Sequence, residues 1–266
     1  MRVALVTGGA RGIGAAIARQ LAREGYFCVL ADLDFDRARA TAAGLGGVAM
    51  QLDVRDAEAF AACVRRVEAE HGPVEVLVNN AGIMPIGPFT EQSVEMDHRQ
   101  IDINLHGVIA GMRAVLPQMR ARRRGHIVNI ASVAGRVGCA NGAVYSAAKH
   151  AVIGLTEAVR YEVLDDGVRL SYVLPGFVRT ELIEGAPGPL WPPPSAPEDV
   201  ARAVSRALTT GRVDVYVPRI ARLSVVLPAL LPRRIYEPLG RLFGLTEMFR
   251  SVDARAREAY RARIGI

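Results

Sequence analysis

Tyr145 and Lys149 stand four residues apart in a segment, 143–164, whose apolar residues recur at helical spacing, so the two side chains share one helix face. A phenol titrates near ~10 and an ammonium near ~10.4, so neither alone is a base at neutral pH. Held ~5 Å apart at an effective dielectric of ~20, the cation would stabilise the phenolate by roughly 3 kcal/mol, about two pKa units. Such a phenol can give or take a proton as a general acid or base. In isolation a Tyr–Lys pair at this spacing is ordinary surface decoration. The composition argues otherwise: of 33 basic residues 32 are arginine, and Lys149 is the only lysine. An ammonium is a compact charge with three donors, where a guanidinium is a broad planar fork. Ser132 ends a strand and can hydrogen-bond a reacting oxygen, or simply cap the following turn. Asn104 can serve a proton path, or cap a helix.

A second group of residues suits a phosphate ester. An apolar strand, Val3–Val6, runs into Thr7-Gly8-Gly9-Ala10-Arg11-Gly12-Ile13-Gly14, which opens a helix. Glycines there allow a tight turn and close backbone approach, and the helix N-terminus offers free N–H groups to a pyrophosphate. Asp32 ends the next strand, 18 residues past Gly14, where a carboxylate can accept from ribose hydroxyls.

These groups need elements to hold them. Short Val/Ile/Leu runs over 3–6, 27–31, 48–52, 74–78, 126–130, 169–174 and 213–217 predict strands buried on both faces. Helical spacing over 12–23, 34–43, 57–70, 103–122, 143–164 and 197–208 places helices between them, which makes the sheet parallel. The reading is α/β: one Rossmann-like, doubly wound domain over 1–217, with a proline- and glycine-rich loop at 181–197 and a helical C-terminal extension over 218–266.

The glycine spacing is T-G-x-x-x-G-x-G. With Asn79-Asn80-Ala81-Gly82, Asn104, Ser132, Tyr145-x-x-x-Lys149 and Pro175-Gly176 following in order, the chain resembles the short-chain dehydrogenase/reductase family over about residues 2–217. The resemblance implies a seven-stranded parallel sheet, a nicotinamide cofactor and a site of Asn104, Ser132, Tyr145 and Lys149. It implies that Asn104 holds a relay water and that Lys149 reaches the ribose hydroxyls. Gly8, Arg11, Gly12, Ile13, Gly14, Asn80, Ala81 and Gly82 would lie along the cofactor. Asp53 and Val54 would meet the adenine edge, though Asp53 could also be a turn former. Pro175, Gly176, the Val178 backbone and the Thr180 hydroxyl would meet the carboxamide. Asp32 would repel a 2′-phosphate, whereas Arg11 is a residue type found in NADP-using relatives. A carboxylate at the ribose outweighs an arginine free to turn away, so NAD is expected over NADP.

The reaction implied is hydride transfer between NAD(H) and an apolar secondary alcohol or ketone, the apolar side suggested by Leu182, Ile183, Leu190 and Trp191 in the 181–197 loop. An isomerase or epimerase of the same family, or a regulator that binds the dinucleotide without catalysis, are the other readings. Three scattered cysteines and five histidines without ligand spacing give no disulfide framework and no metal site. A net charge of +6 invites nucleic acid, but the arginines are dispersed and the Arg120–Arg124 run has no interleaved aromatics. No run approaches a membrane span, and Val3–Val6 is too short for a signal-peptide core. A cytoplasmic protein is expected, peripheral to a membrane if the apolar, arginine-rich stretch 220–245 meets lipid; packing on the subunit or a neighbour is the plainer role for that stretch. The apolar residues Ile103, Val108, Ile109, Met112, Val115, Leu116 and Met119 predict a homotetramer built on 103–122 and 145–164. His106 and His150 are expected to be packing or surface residues.

Overall fold

The computed structural model describes residues 1–242, 248–249, 252–253 and 255–264. Seven strands alternate with helices: β1 Arg2–Thr7, α1 Gly12–Arg23, β2 Tyr26–Asp32, α2 Phe35–Ala43, β3 Val48–Gln51, α3 Ala57–His71 and β4 Val74–Asn79. α4 Val94–Ile101, α5 Gly107–Ala121, β5 Gly125–Ile130, α6 Ala143–Glu162, β6 Val168–Pro175, α7 Pro197–Thr210 and β7 Asp214–Val217 follow. The strands form one parallel sheet in the order β3-β2-β1-β4-β5-β6-β7. Their continuous apolar runs feed two cores. Val3, Leu5, Val29, Leu77 and Ile127 face one side of the sheet, with α3, α5 and α6 over them. Ala4, Val6, Leu30, Val78 and Val128 face the other, under α1, α2 and α7. The strand order reverses between β1 and β4, so the crevice at their C-terminal ends is where such a sheet takes a ligand.

The single helix expected over 103–122 is instead α4, a π-helical turn at Asp102–His106, and α5. Two contacts account for the insertion. The Asn104 side chain accepts from the Ile83 N–H at 3.2 Å and donates to the Ile83 carbonyl at 2.9 Å. A Cβ at Gly107 would lie 2.8 Å from Val54 Cγ2, so the turn is pressed onto the chain after β3. Such π turns gather at functional sites.

Val108, Met112, Val115 and Met119 are buried in the subunit's own core, with Ile103 and Leu116 packed at its edge. The extension forms α8 Leu223–Leu230, α9 Arg233–Leu242 and α10 Glu258–Ile264. Leu223, Val226, Leu227 and Leu230 on α8 are exposed, whereas Phe249, Arg257, Tyr260 and Ile264 are buried against the catalytic body. Phe243 and Leu245, counted above in the apolar stretch, lie outside the described residues. Among the described residues no helix is long and apolar enough to cross a membrane.

Candidate active site

A cavity of about 670 Å³ lies along the C-terminal ends of β1, β2, β4, β5 and β6. The turn after β1 forms its floor. Gly8 has φ +62° and Gly12 φ +54°, the left-handed region where a side chain is strained. A Cβ on Gly8 would stand 2.9 Å from Ala81 Cα, so the glycine turn touches the segment after β4. Asn80 fixes that contact, donating from Nδ2 to the carbonyls of Thr7 (2.9 Å) and Gly8 (3.0 Å). Thr7 Oγ1 returns it by accepting the N–H groups of Asn80 and Ala81. Gly14 does not line the cavity; its Cβ would fall 2.1 Å from the Gly8 carbonyl, so its part is to let the turn close.

At one end of the cavity Asp32 accepts the N–H of Ala10 at 2.9 Å and of Asp34 at 3.0 Å. Arg11 is held by Asp34 and, at 3.4 Å, by Glu181. Asp53 binds Arg55 through both oxygens, and that hydrogen bond holds its carboxyl below the usual range. Val54, Ile13, Ala81 and Gly82 complete this half.

At the other end α6 brings in Tyr145 and Lys149, and β5 ends on Ser132. A buried network stiffens their support: Asn79 donates to Asn129 Oδ1 at 2.9 Å, Asn129 to Thr156 Oγ1 at 2.8 Å, and Thr156 to the Val152 carbonyl at 2.6 Å. It joins β4, β5 and α6 directly beneath the reacting groups. Lys149 is buried; its Nζ donates to the Ile130 carbonyl at 2.8 Å and lies 5.7 Å from the Tyr145 ring centroid. Burial lowers its pKa to about 8. Burial also drives the Tyr145 phenol above its ordinary value, with the Ser132 hydroxyl pulling it back part of the way. The downward shift expected from Lys149 alone is therefore reversed in the free protein. Desolvation is the largest influence on the phenol, which sits out of water.

Pro175, Gly176, Val178 and Thr180 line the same half. Thr180 turns its hydroxyl to the Val178 carbonyl at 3.3 Å, and Val178 pairs with Ser195 in an isolated bridge. Leu182 and Ile183 line the cavity, but Leu190 and Trp191 do not; they are exposed on the loop. His106 is on the surface with Asp102, and His150 meets the Ser146 carbonyl. Tyr260, Arg263 and Ile264 also line the cavity, from the far end of the chain. The sequence carried no signal for them beyond an arginine-rich tail. Among the described residues no cluster of three His, Cys, Asp or Glu could hold a metal.

The pattern of short chain dehydrogenases matches residues 2–187. A 3-alpha-(or 20-beta)-hydroxysteroid dehydrogenase of Mycobacterium tuberculosis (strain ATCC 25618 / H37Rv) is 38% identical over 188 residues, 70% of this chain and 72% of its own length. A galactitol 2-dehydrogenase of Agrobacterium fabrum (strain C58 / ATCC 33970) is 40% identical over 183 residues, 68% of this chain and 72% of its own. The apo form of LigD from Sphingobium sp. strain SYK-6 superposes with a TM-score of 0.75 at 29% identity, covering 87% of this chain and 98% of that one. With the sheet order and the cavity described above, the chain belongs to the short-chain dehydrogenase family and is an oxidoreductase by that membership.

Proposed function

We propose that the protein transfers a hydride between NAD(H) and an apolar secondary alcohol or ketone, with Tyr145 as the general acid and base. The observation that carries this reading is the gathering of Asn104, Ser132, Tyr145 and Lys149 at one end of a cavity whose other end carries Asp32. The cradle suits a dinucleotide: the Gly8 and Gly12 turn admits backbone approach, and the N-terminus of α1 faces the cavity. A bound nicotinamide would supply or accept the hydride. In reduction the Tyr145 hydroxyl donates its proton to the carbonyl oxygen as charge develops there, while Ser132 holds that oxygen in place. In oxidation the same phenol takes the proton back. Lys149 holds a positive charge beside the phenol and offers its donors to the ribose. The Asn104 side chain gives one acceptor site and one amide hydrogen to Ile83, which leaves a second amide hydrogen for a relay water.

The charge layout supports NAD over NADP. Arg11, the residue that would welcome a 2′-phosphate, is already neutralised by Asp34 and Glu181, and Asp32 adds a carboxylate at the ribose end. The apolar substrate class is supported by Ile83, Leu182, Ile183 and Ile264 on the wall facing Tyr145. The free thiols of Cys28, Cys63 and Cys139 suit a reducing, cytoplasmic setting. The test is loss of NADH absorbance on adding cyclic ketones. Tyr145→Phe removes only the hydroxyl, so turnover should fall at least ~10²-fold while NADH still binds. Turnover above about a tenth of the unaltered protein would contradict the assignment.

A further inference from the structure

The C-terminal extension returns to the cavity and lines it. Arg257 is 3% exposed, an unusual place for a charge. Its guanidinium donates to the carbonyls of Met84 at 2.9 Å, Leu182 at 3.0 Å and Glu184 at 3.1 Å. One side chain thus ties the segment after β4 to the loop after β6. The same guanidinium stands 4.5 Å from the centroid of the Tyr260 ring, and that of Arg263 stands 5.1 Å from it. Tyr260, 3% exposed, stands within cation–π reach of both and lines the cavity.

The phenol is only half satisfied. Its oxygen accepts the Met84 N–H at 2.7 Å, and Met84 in turn packs against Tyr145. Its proton has no acceptor among the described residues. A buried donor left unmade is costly, so a hydroxyl whose acceptor side is filled, on a residue that lines a ligand cavity, is suited to donate to a ligand oxygen. Ile83, Leu182 and Ile264 make an apolar wall beside it. Arg263, at the rim, is engaged by Glu181.

We propose that Tyr260 is a specificity-determining residue: it donates a hydrogen bond to a second oxygen of the substrate, apart from the one that reacts at Tyr145. The preferred substrates are then ketones or alcohols carrying a further acceptor oxygen on an otherwise apolar skeleton. This rests on the hydride-transfer reading above; Met84, which donates its N–H to Tyr260, also packs against Tyr145, so the two phenols flank one cavity.

The test uses paired probes: cyclohexanone against cyclohexane-1,4-dione, and 1-decalone against decalin-1,5-dione. Tyr260→Phe keeps the ring beside the two guanidinia and removes only the hydroxyl. Binding is measured by calorimetry with NADH present, in Tyr145→Phe and in Tyr145→Phe/Tyr260→Phe, neither of which turns the ketone over. The expected result is that one of the diones binds about tenfold more tightly than its monoketone partner, and that Tyr260→Phe removes this preference while leaving the monoketone within about twofold. Equal loss for diones and monoketones, together with a lower melting temperature, would assign the phenol a purely structural role and overturn the proposal. So would a dione preference that survives in Tyr260→Phe, or no preference in either protein. Failure of NADH to bind any of these proteins would instead overturn the hydride-transfer reading.

Discussion

Burial disfavours the charged form of both titrating groups of the site, and this sets what each substitution should do. Lys149 is pushed to about 8 in the folded chain, below its ordinary ~10.4. At pH 7 the folded state therefore keeps an ammonium that burial disfavours, a penalty of roughly 3 kcal/mol. Lys149→Met removes it and loses one hydrogen bond to the Ile130 carbonyl, about 1 kcal/mol. The cofactor-free variant should be more stable than the unaltered chain by about 1–2 kcal/mol at pH 7, and inactive. A lysine with a lowered folded pKa makes stability rise as pH climbs from about 8 toward ~10.4, so the gap should shrink over that window. Urea unfolding at pH 7 and pH 9.5 measures it; a variant less stable at pH 7 would show that the ammonium is well compensated. Asp32 acts at the other end. Asp32→Ala removes the carboxylate proposed to meet the ribose, so a kcat/KM preference for NAD over NADP should vanish or reverse. A preference for NADP in the unaltered protein would mean that Arg11 leaves Asp34 and Glu181 to take a phosphate.

The elements divide by how much of their placement is local. Strands such as Val3–Val6 and Val74–Val78 were legible because a short run of β-branched residues ending in Gly or Asn has one economical use in an α/β chain. The site residues were legible for the same reason: Gly8, Asn80, Ser132, Tyr145 and Lys149 each sit at a strand end or on a helix already marked by its apolar spacing. The break at Asp102–His106 was not legible, because one extra residue in a turn leaves the apolar period nearly intact while its cause, the Ile83 backbone, is 21 residues away. The tail was illegible for a different reason. Arg257 is one arginine among many until the chain path shows three carbonyls around it. The apolar residues of α5 teach a similar lesson, since four of the seven in the 103–122 stretch are buried within the subunit. What remains for assembly is Ile109 and Leu116 on α5 and the exposed Tyr161 and Leu164 around the end of α6. Pairing across these helices predicts a homotetramer; light scattering that gives only a 28.6 kDa species at micromolar concentration would exclude it.

At the scale of the whole molecule, the sheet reverses at the β1–β4 junction, opens a crevice there, and lines it from Asp32 at one end to Tyr145 at the other. The extension then adds Tyr260, Arg263 and Ile264 to the lining of the crevice. The family relation makes the protein an oxidoreductase, and the layout supports the hydride transfer proposed above over a family isomerase or a dinucleotide-binding regulator. One measurement separates them. The full chain is incubated with NADH deuterated at the transferable position and with cyclic mono- and diketones, and the products are analysed by mass spectrometry. The account predicts one deuterium on the carbinol carbon of the product alcohol, and none in Tyr145→Phe although that variant binds the cofactor. Bound cofactor with no deuterium in any product across the panel would contradict it.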